Sequence, residues 1–150
     1  EEAMQDVQES KPQVSIDEFR HAIDTALERG ELAPVDTPLT HYHTDDLYAR
    51  RIVVPAGSFF TTMVHKSDHI AVALRGRIVL IDQNQASAEI VAPEVFVTKA
   101  GTQRMVVVLE ECEWVTVHHC TEQDDDKVKD VLCCETMKEY EEQKLLGVAV

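Results

Sequence analysis

Between residues 48 and 119 the chain consists of short runs rich in Val, Ile and Thr. Turn signals break it roughly every 8 to 12 residues, a spacing that belongs to an all-β sandwich or closed barrel. The breaks fall at Pro55-Ala56-Gly57, Lys66-Ser67-Asp68, Arg75-Gly76-Arg77, residues 82 to 85, Ala92-Pro93, Ala100-Gly101 and Glu110-Glu111. About eight strands are predicted. No helix-period segment lies among them, which argues against a parallel sheet built from βαβ units.

The flanks read differently. Residues 1 to 14 are polar and expected to be flexible. Residues 15 to 47 open on Ser15-Ile16-Asp17-Glu18, the form of a capping box, followed by Ile16, Phe19, Ile23, Ala26 and Leu27 at helical spacing. Gly30 sits where such a helix would end, so the spacing predicts a helix over 16 to 29 and then a Pro-containing lead-in. The barrel is expected over 48 to 121. Residues 122 to 150 form an acidic tail with a second helical pattern at Val128, Val131, Leu132, Met137 and Leu145. The acids from Glu122 to Asp126 suit a helix N-terminus, where carboxylates favour the macrodipole, so they need not be a metal site.

A chain of 150 residues carries one domain with a core of its own. Its 28 Asp+Glu against 14 Lys+Arg give a net charge of -14, a field that repels nucleic acid and anionic membranes. Residues 1 to 31 and 122 to 150 hold 18 of those acids. The barrel segment is therefore much less charged than its flanks, and its interior is free to hold a small anion. No apolar run approaches the roughly 20 residues that span a bilayer. The first residues also lack the basic start and apolar middle of an export signal, which predicts a cytoplasmic, unsecreted protein. Four Cys without a Cys-X-X-Cys spacing read as reduced thiols. A Ser or Cys hydrolase lacks its nucleophile elbow, and five scattered Gly make no phosphate-cradling loop.

Strand side chains alternate between faces. From His69 onward, His69, Ala71 and Ala73 make a small face, while Ile70, Val72 and Leu74 make a bulky one. The small face suits a barrel interior with room for a ligand, and the bulky face is expected to meet the N-terminal helix or a second subunit. Phe59, Thr61, Met63 and His65 share one face of the preceding segment. Trp114, Thr116 and His118 share one face of the last strand. His65 and His69, four residues apart across a tight turn, can converge on one ion, and a third His would complete an open site for Zn, Fe, Ni or Mn.

These residues resemble the cupin superfamily, the RmlC-like jelly rolls. The first cupin motif, G(X)5HXH(X)3,4E(X)6G, falls on Gly57, Met63, His65, His69 and Gly76, with Met63 at the first His and His69 at the Glu. The second, G(X)5PXG(X)2H(X)3N, matches at Gly101, with Lys99, Arg104 and Val108 at its Pro, His and Asn. A nearer resemblance covers residues 38 to 122, through Pro38-Leu39-Thr40-His41, Leu47-Tyr48-Ala49-Arg50, Val54-Pro55-Ala56-Gly57, Val64-His65-Lys66, Asp68-His69, Ala100-Gly101-Thr102-Gln103-Arg104 and Trp114-Val115-Thr116-Val117-His118. It is to small cupin-like proteins of tailed bacteriophages, mostly of unassigned function.

The resemblance implies a mostly β fold, a single double-stranded β-helix (jelly-roll) barrel with an N-terminal and a C-terminal helix. In that strand order the start of the strand at His69 lies beside the end of the last strand. His65, His69 and His118 then form one metal-binding cluster, with His41 a candidate fourth member. Arg104, Met63 and Thr116 are candidate ligand-binding residues, Arg104 for an anionic group. Lyase, isomerase and oxygenase chemistry are all compatible with the resemblance, and no residue selects one. Asp68 points away from the His69 face, so no general base stands beside the cluster. The alternative is a non-enzymatic, virion-associated or accessory structural module in the host cytoplasm, as a homodimer or in assembly with other virion proteins.

Overall fold

The structure is a computed structural model that describes residues 14 to 147. The predicted flexible N-terminus therefore lies, up to residue 13, outside the described residues. α1 (Ile16–Glu28) starts on Ser15, whose Oγ accepts from the Glu18 N–H at 3.1 Å. It closes on Gly30 at φ +70°, where the Glu31 N–H reaches the Ala26 carbonyl at 2.9 Å.

Strands β1 (Leu39–His43), β2 (Leu47–Val54), β3 (Phe59–Thr61), β4 (Val64–His65), β5 (His69–Asp82), β6 (Ser87–Val91), β7 (Glu94–Thr98) and β8 (Arg104–His119) follow in order. The sheet thus starts at Leu39, ahead of the expected boundary at 48, because β1 pairs along the whole of its length with β2. The C-terminal segment is two helices rather than one. Between α2 (Asp125–Leu132) and α3 (Met137–Leu145), β9 (Cys133–Cys134) pairs with β4. Asp124 caps α2 by accepting from the Asp126 N–H at 3.0 Å, which gives the acidic run its structural role.

Antiparallel β5 and β8 are the spine of the barrel, and each serves both halves. In one half β5 pairs with β7 and β8 with β2; in the other β5 pairs with β6 and β8 with β3. The predicted turns at 75 to 77 and 110 to 111 are not turns. They are register shifts inside two continuous strands, bending both from one half to the other. Gly76, at φ +93°, makes the bend possible. A Cβ there would lie 2.6 Å from the Cys112 Cα and closer still to the Glu111 carbonyl oxygen.

The two halves are filled differently. Ile52, Val54, Ile78, Leu80, Val106, Val108 and Cys112 close one end with an apolar core, against which Phe60, Phe96 and Trp114 pack. The other end holds Tyr48, His65, His69, Thr98, Thr116 and His118. α1 does not cover the bulky face of β5 as expected, because Phe19 packs instead on Phe59 of β3, ring centroids 6.0 Å apart. Ile70 and Leu74 remain 47% and 45% exposed, and Val95 and Val97 of neighbouring β7 61% and 56%.

Candidate metal centre

Alternation along β5 and β8 builds the polar end. His69, Ala71 and Ala73 face inward and are buried. The register pairs Ala71 with Thr116 and Ala73 with Trp114, which brings His69 beside His118 as the strand order implied. His65 arrives from β4, which is held between β9 and the loop after β7. Its Cα partner is Cys133, and its carbonyl accepts from the Gly101 N–H at 2.9 Å. Asp68 fixes the 66 to 68 turn from outside by accepting from the Ala100 N–H at 2.8 Å, and it is engaged there rather than at the imidazoles.

The three rings meet. Centroids are 4.2 Å apart for His65 and His69, 4.5 Å for His69 and His118, and 5.2 Å for His65 and His118, the last pair nearly parallel. One nitrogen of each lies within 4.8 Å of the others. Three ligands about 2.1 Å from one ion in tetrahedral directions lie about 3.4 Å apart, so side-chain movements of up to about an ångström would close the set.

Burial holds all three imidazoles neutral. It drives His65 and His118 down to about 3, with His69 adding to both shifts. It drives His69 to about 4, with the Arg104 charge adding. Neutral imidazole is the ligating form. The Nδ1 atoms of His69 and His118 are buried without a hydrogen-bond partner, whereas buried polar atoms are ordinarily paired. His118 Nε2 lies 2.9 Å from Thr116 Oγ1. With Nε2–H donating to that hydroxyl, the lone pair is left on the unpartnered Nδ1. This is how an outer hydrogen bond orients a ligating His. The donor set therefore fits an imidazole-binding divalent ion.

The other sequence-nominated residues sit around this group. Thr116 is directly on it. Arg104 is half-buried, donates from Nη1 to Thr98 Oγ1 at 2.9 Å and lies 6.0 Å over the Phe96 ring. It opens on a cavity of about 260 Å³ lined also by Leu80, Asp82, Ile90 and Phe96. Met63 is half-buried between β3 and β4, two residues before His65. His41 is not in the triad. Its Nδ1 lies 2.5 Å from the Tyr48 hydroxyl, and the Tyr48 ring separates it from His118.

Two residues escaped the sequence reading. Tyr48 is buried and stacks 6.0 Å from His118. Arg50, in register with Thr116, follows on the same inward face of β2. The alternation Tyr48, Arg50, Ile52, Val54 was the available signal.

No protein-family model and no curated protein sequence matches the chain. Solved structures match in fold. A cupin superfamily protein from Desulfitobacterium hafniense superposes with a TM-score of 0.50 at 10% identity, over 59% of this chain and 81% of that one. An RmlC-like cupin with a double-stranded β-helix fold from Methanocaldococcus jannaschii gives 0.51 at 12%, over 57% and 82%. A protein from Neisseria meningitidis gives 0.51 at 10%, over 73% and all of its length. At such identities the likeness is one of fold: the chain is a mostly β jelly roll of the cupin type. Among the described residues no helix is long and apolar enough to cross a membrane.

Proposed function

We propose that this protein holds one divalent transition metal ion on His65, His69 and His118 and binds a small polar or anionic ligand beside it. The observation that carries the reading is a buried, carboxylate-free group of three neutral imidazoles, two with an unpartnered Nδ1. Such a donor set suits Zn, Fe or Ni and admits Mn. When bound, the ion supplies a Lewis acid and lowers the pKa of a bound water. Thr116 holds the His118 tautomer, the apolar end of the barrel keeps bulk water from one side, and Arg104 attracts the ligand, which passes Met63. Protein purified without a His tag is expected to carry about one transition metal ion per chain. Thr116→Val should weaken that binding about 10- to 100-fold, as loss of an outer hydrogen bond does. Metal-free protein that takes up none of Zn, Fe, Ni or Mn would overturn the reading.

A second reading, a non-enzymatic module in a virion or its assembly in the host cytoplasm, is favoured by the uncovered apolar face of β5 and β7. Its support is the resemblance to small phage proteins. We infer a second copy of the chain as the occupant: an isologous contact needs a self-complementary patch, and most of the acids lie in the flanking segments rather than on this face. Sedimentation should give a dimer for the native chain and a monomer for Val97→Glu. A native monomer excludes the dimer.

A further inference from the structure

The barrel wall carries arginines on both faces, and the two sets are treated differently. Outward Arg51 and Arg75 both pair with Glu113, Arg75 also with Glu111, and Arg77 with Glu89. Inward Arg50 and Arg104 have no carboxylate within ion-pair distance among the described residues; Asp82 is near enough to Arg104 only for its charge to be felt. Arg50 makes no side-chain hydrogen bond to any of them, although it lies between buried Tyr48 and Ile52 on β2.

The two guanidinium groups approach the triad from different strands. Arg50 is in register with Thr116, whose hydroxyl contacts His118. Arg104 is tied to Thr98, which is in register with His69. The Arg50 charge presses on all three imidazoles and the Arg104 charge on His65 and His69. In a chain of net charge -14, this polar end therefore holds two guanidinium groups that no carboxylate pairs among the described residues, with Asp82 acting on Arg104 and Asp68 on His69 only from a distance. A half-buried guanidinium left unpaired is costly, and a carboxylate meets its fork with two parallel hydrogen bonds.

We propose that the lumen binds a small two-ended dianion of the dicarboxylate class, one anionic group on Arg50 and the other on Arg104, with its middle across the three imidazoles. This rests on the reading of the lumen as a ligand site and adds Arg50 as the determinant of a second charge. Full-length protein, metal-free and zinc-loaded, can be titrated calorimetrically with succinate, glutarate, phosphonoacetate and, as the one-ended control, butyrate. At least one dianion is expected to bind 10- to 100-fold more tightly than butyrate, the range of a charge-assisted pair. Arg50→Gln and Arg104→Gln should each bring the dianion down to the affinity of a one-ended carboxylate while leaving zinc affinity within about 3-fold. Unchanged zinc uptake shows that each variant is folded; Arg50→Lys, which keeps charge without the fork, should retain part of the preference. A tighter fit for phosphonoacetate than for succinate would assign one end to a phosphoryl group.

Equal affinity for dianions and butyrate, or a preference that survives both Gln variants, overturns the proposal. If zinc binds and no dianion is preferred, the dianion proposal falls and the metal reading stands. A dianion preference in protein that takes up no metal reverses that outcome.

Discussion

Gly76→Ala is expected to lower the melting temperature by about 10 °C or more, or to leave the protein unable to fold at 37 °C. A Cβ at this position would meet backbone, the Glu111 carbonyl oxygen first and then the Cys112 Cα at 2.6 Å, and backbone cannot rotate out of the way as a side chain can. The positive φ adds about 1–2 kcal/mol for any L side chain, and overpacking adds about 1–3 kcal/mol or more. Together these take a large share of the roughly 5–15 kcal/mol that holds a domain folded. For a chain of this size 1 kcal/mol moves the midpoint by roughly 2–4 °C. Gly57→Ala is the control: φ there is also positive, at +82°, but nothing lies within 4 Å. It should cost only the conformational part. Equal losses at the two glycines in thermal denaturation would show that the bend between the barrel halves tolerates a side chain.

The metal-free protein is expected to lose stability steeply as pH falls below 6.5. In the folded chain His65 and His118 titrate at about 3 and His69 at about 4, whereas unfolded His titrates near 6.5. Between those values the unfolded chain holds protons that the folded chain refuses. Stability is therefore complete above about 6.5, falls on acidification, and levels off only below the folded values. Well inside the window each imidazole contributes about 1.4 kcal/mol per pH unit, and three contribute roughly 8–16 °C per unit in midpoint. Melting curves from pH 6.5 to 5 isolate this effect from the carboxylates, which protonate lower. Replacing His118 by Gln should remove about a third of the slope, and saturating zinc should raise the midpoint throughout. A midpoint flat across that range would mean that the imidazoles are not buried as a group.

The lumen was legible in the sequence wherever a strand ran straight. Period-two alternation placed His69, Ala71 and Ala73 on one face and Trp114, Thr116 and His118 on another, and the structure turns both inward. The same alternation marks Arg50, which otherwise enters only within the resemblance to phage proteins. Bulges were not legible. Arg75-Gly76-Arg77 has the composition of a turn, and only its pairing with the 110 to 113 stretch of β8 shows that the strand continues. His41 shares a barrel face with the triad, but the bulk of Tyr48 intervenes. No local pattern marks the two residues of β9, since a strand so short is defined by its partner alone.

That last pairing reaches further than its length. His65 has no long strand of its own. It is set in place by Cys133 on one side and by the 99 to 101 loop on the other, and Gly101 of that loop lies against the Tyr140 ring of α3. If the imidazoles hold an ion as proposed, whatever anchoring of residues 125 to 145 adds to its binding, the ion adds to that anchoring by the same factor. On the metal reading proposed above, the C-terminal helix pair would be a latch on the site, and a chelator that removed the ion would be expected to loosen helices that do not contact it.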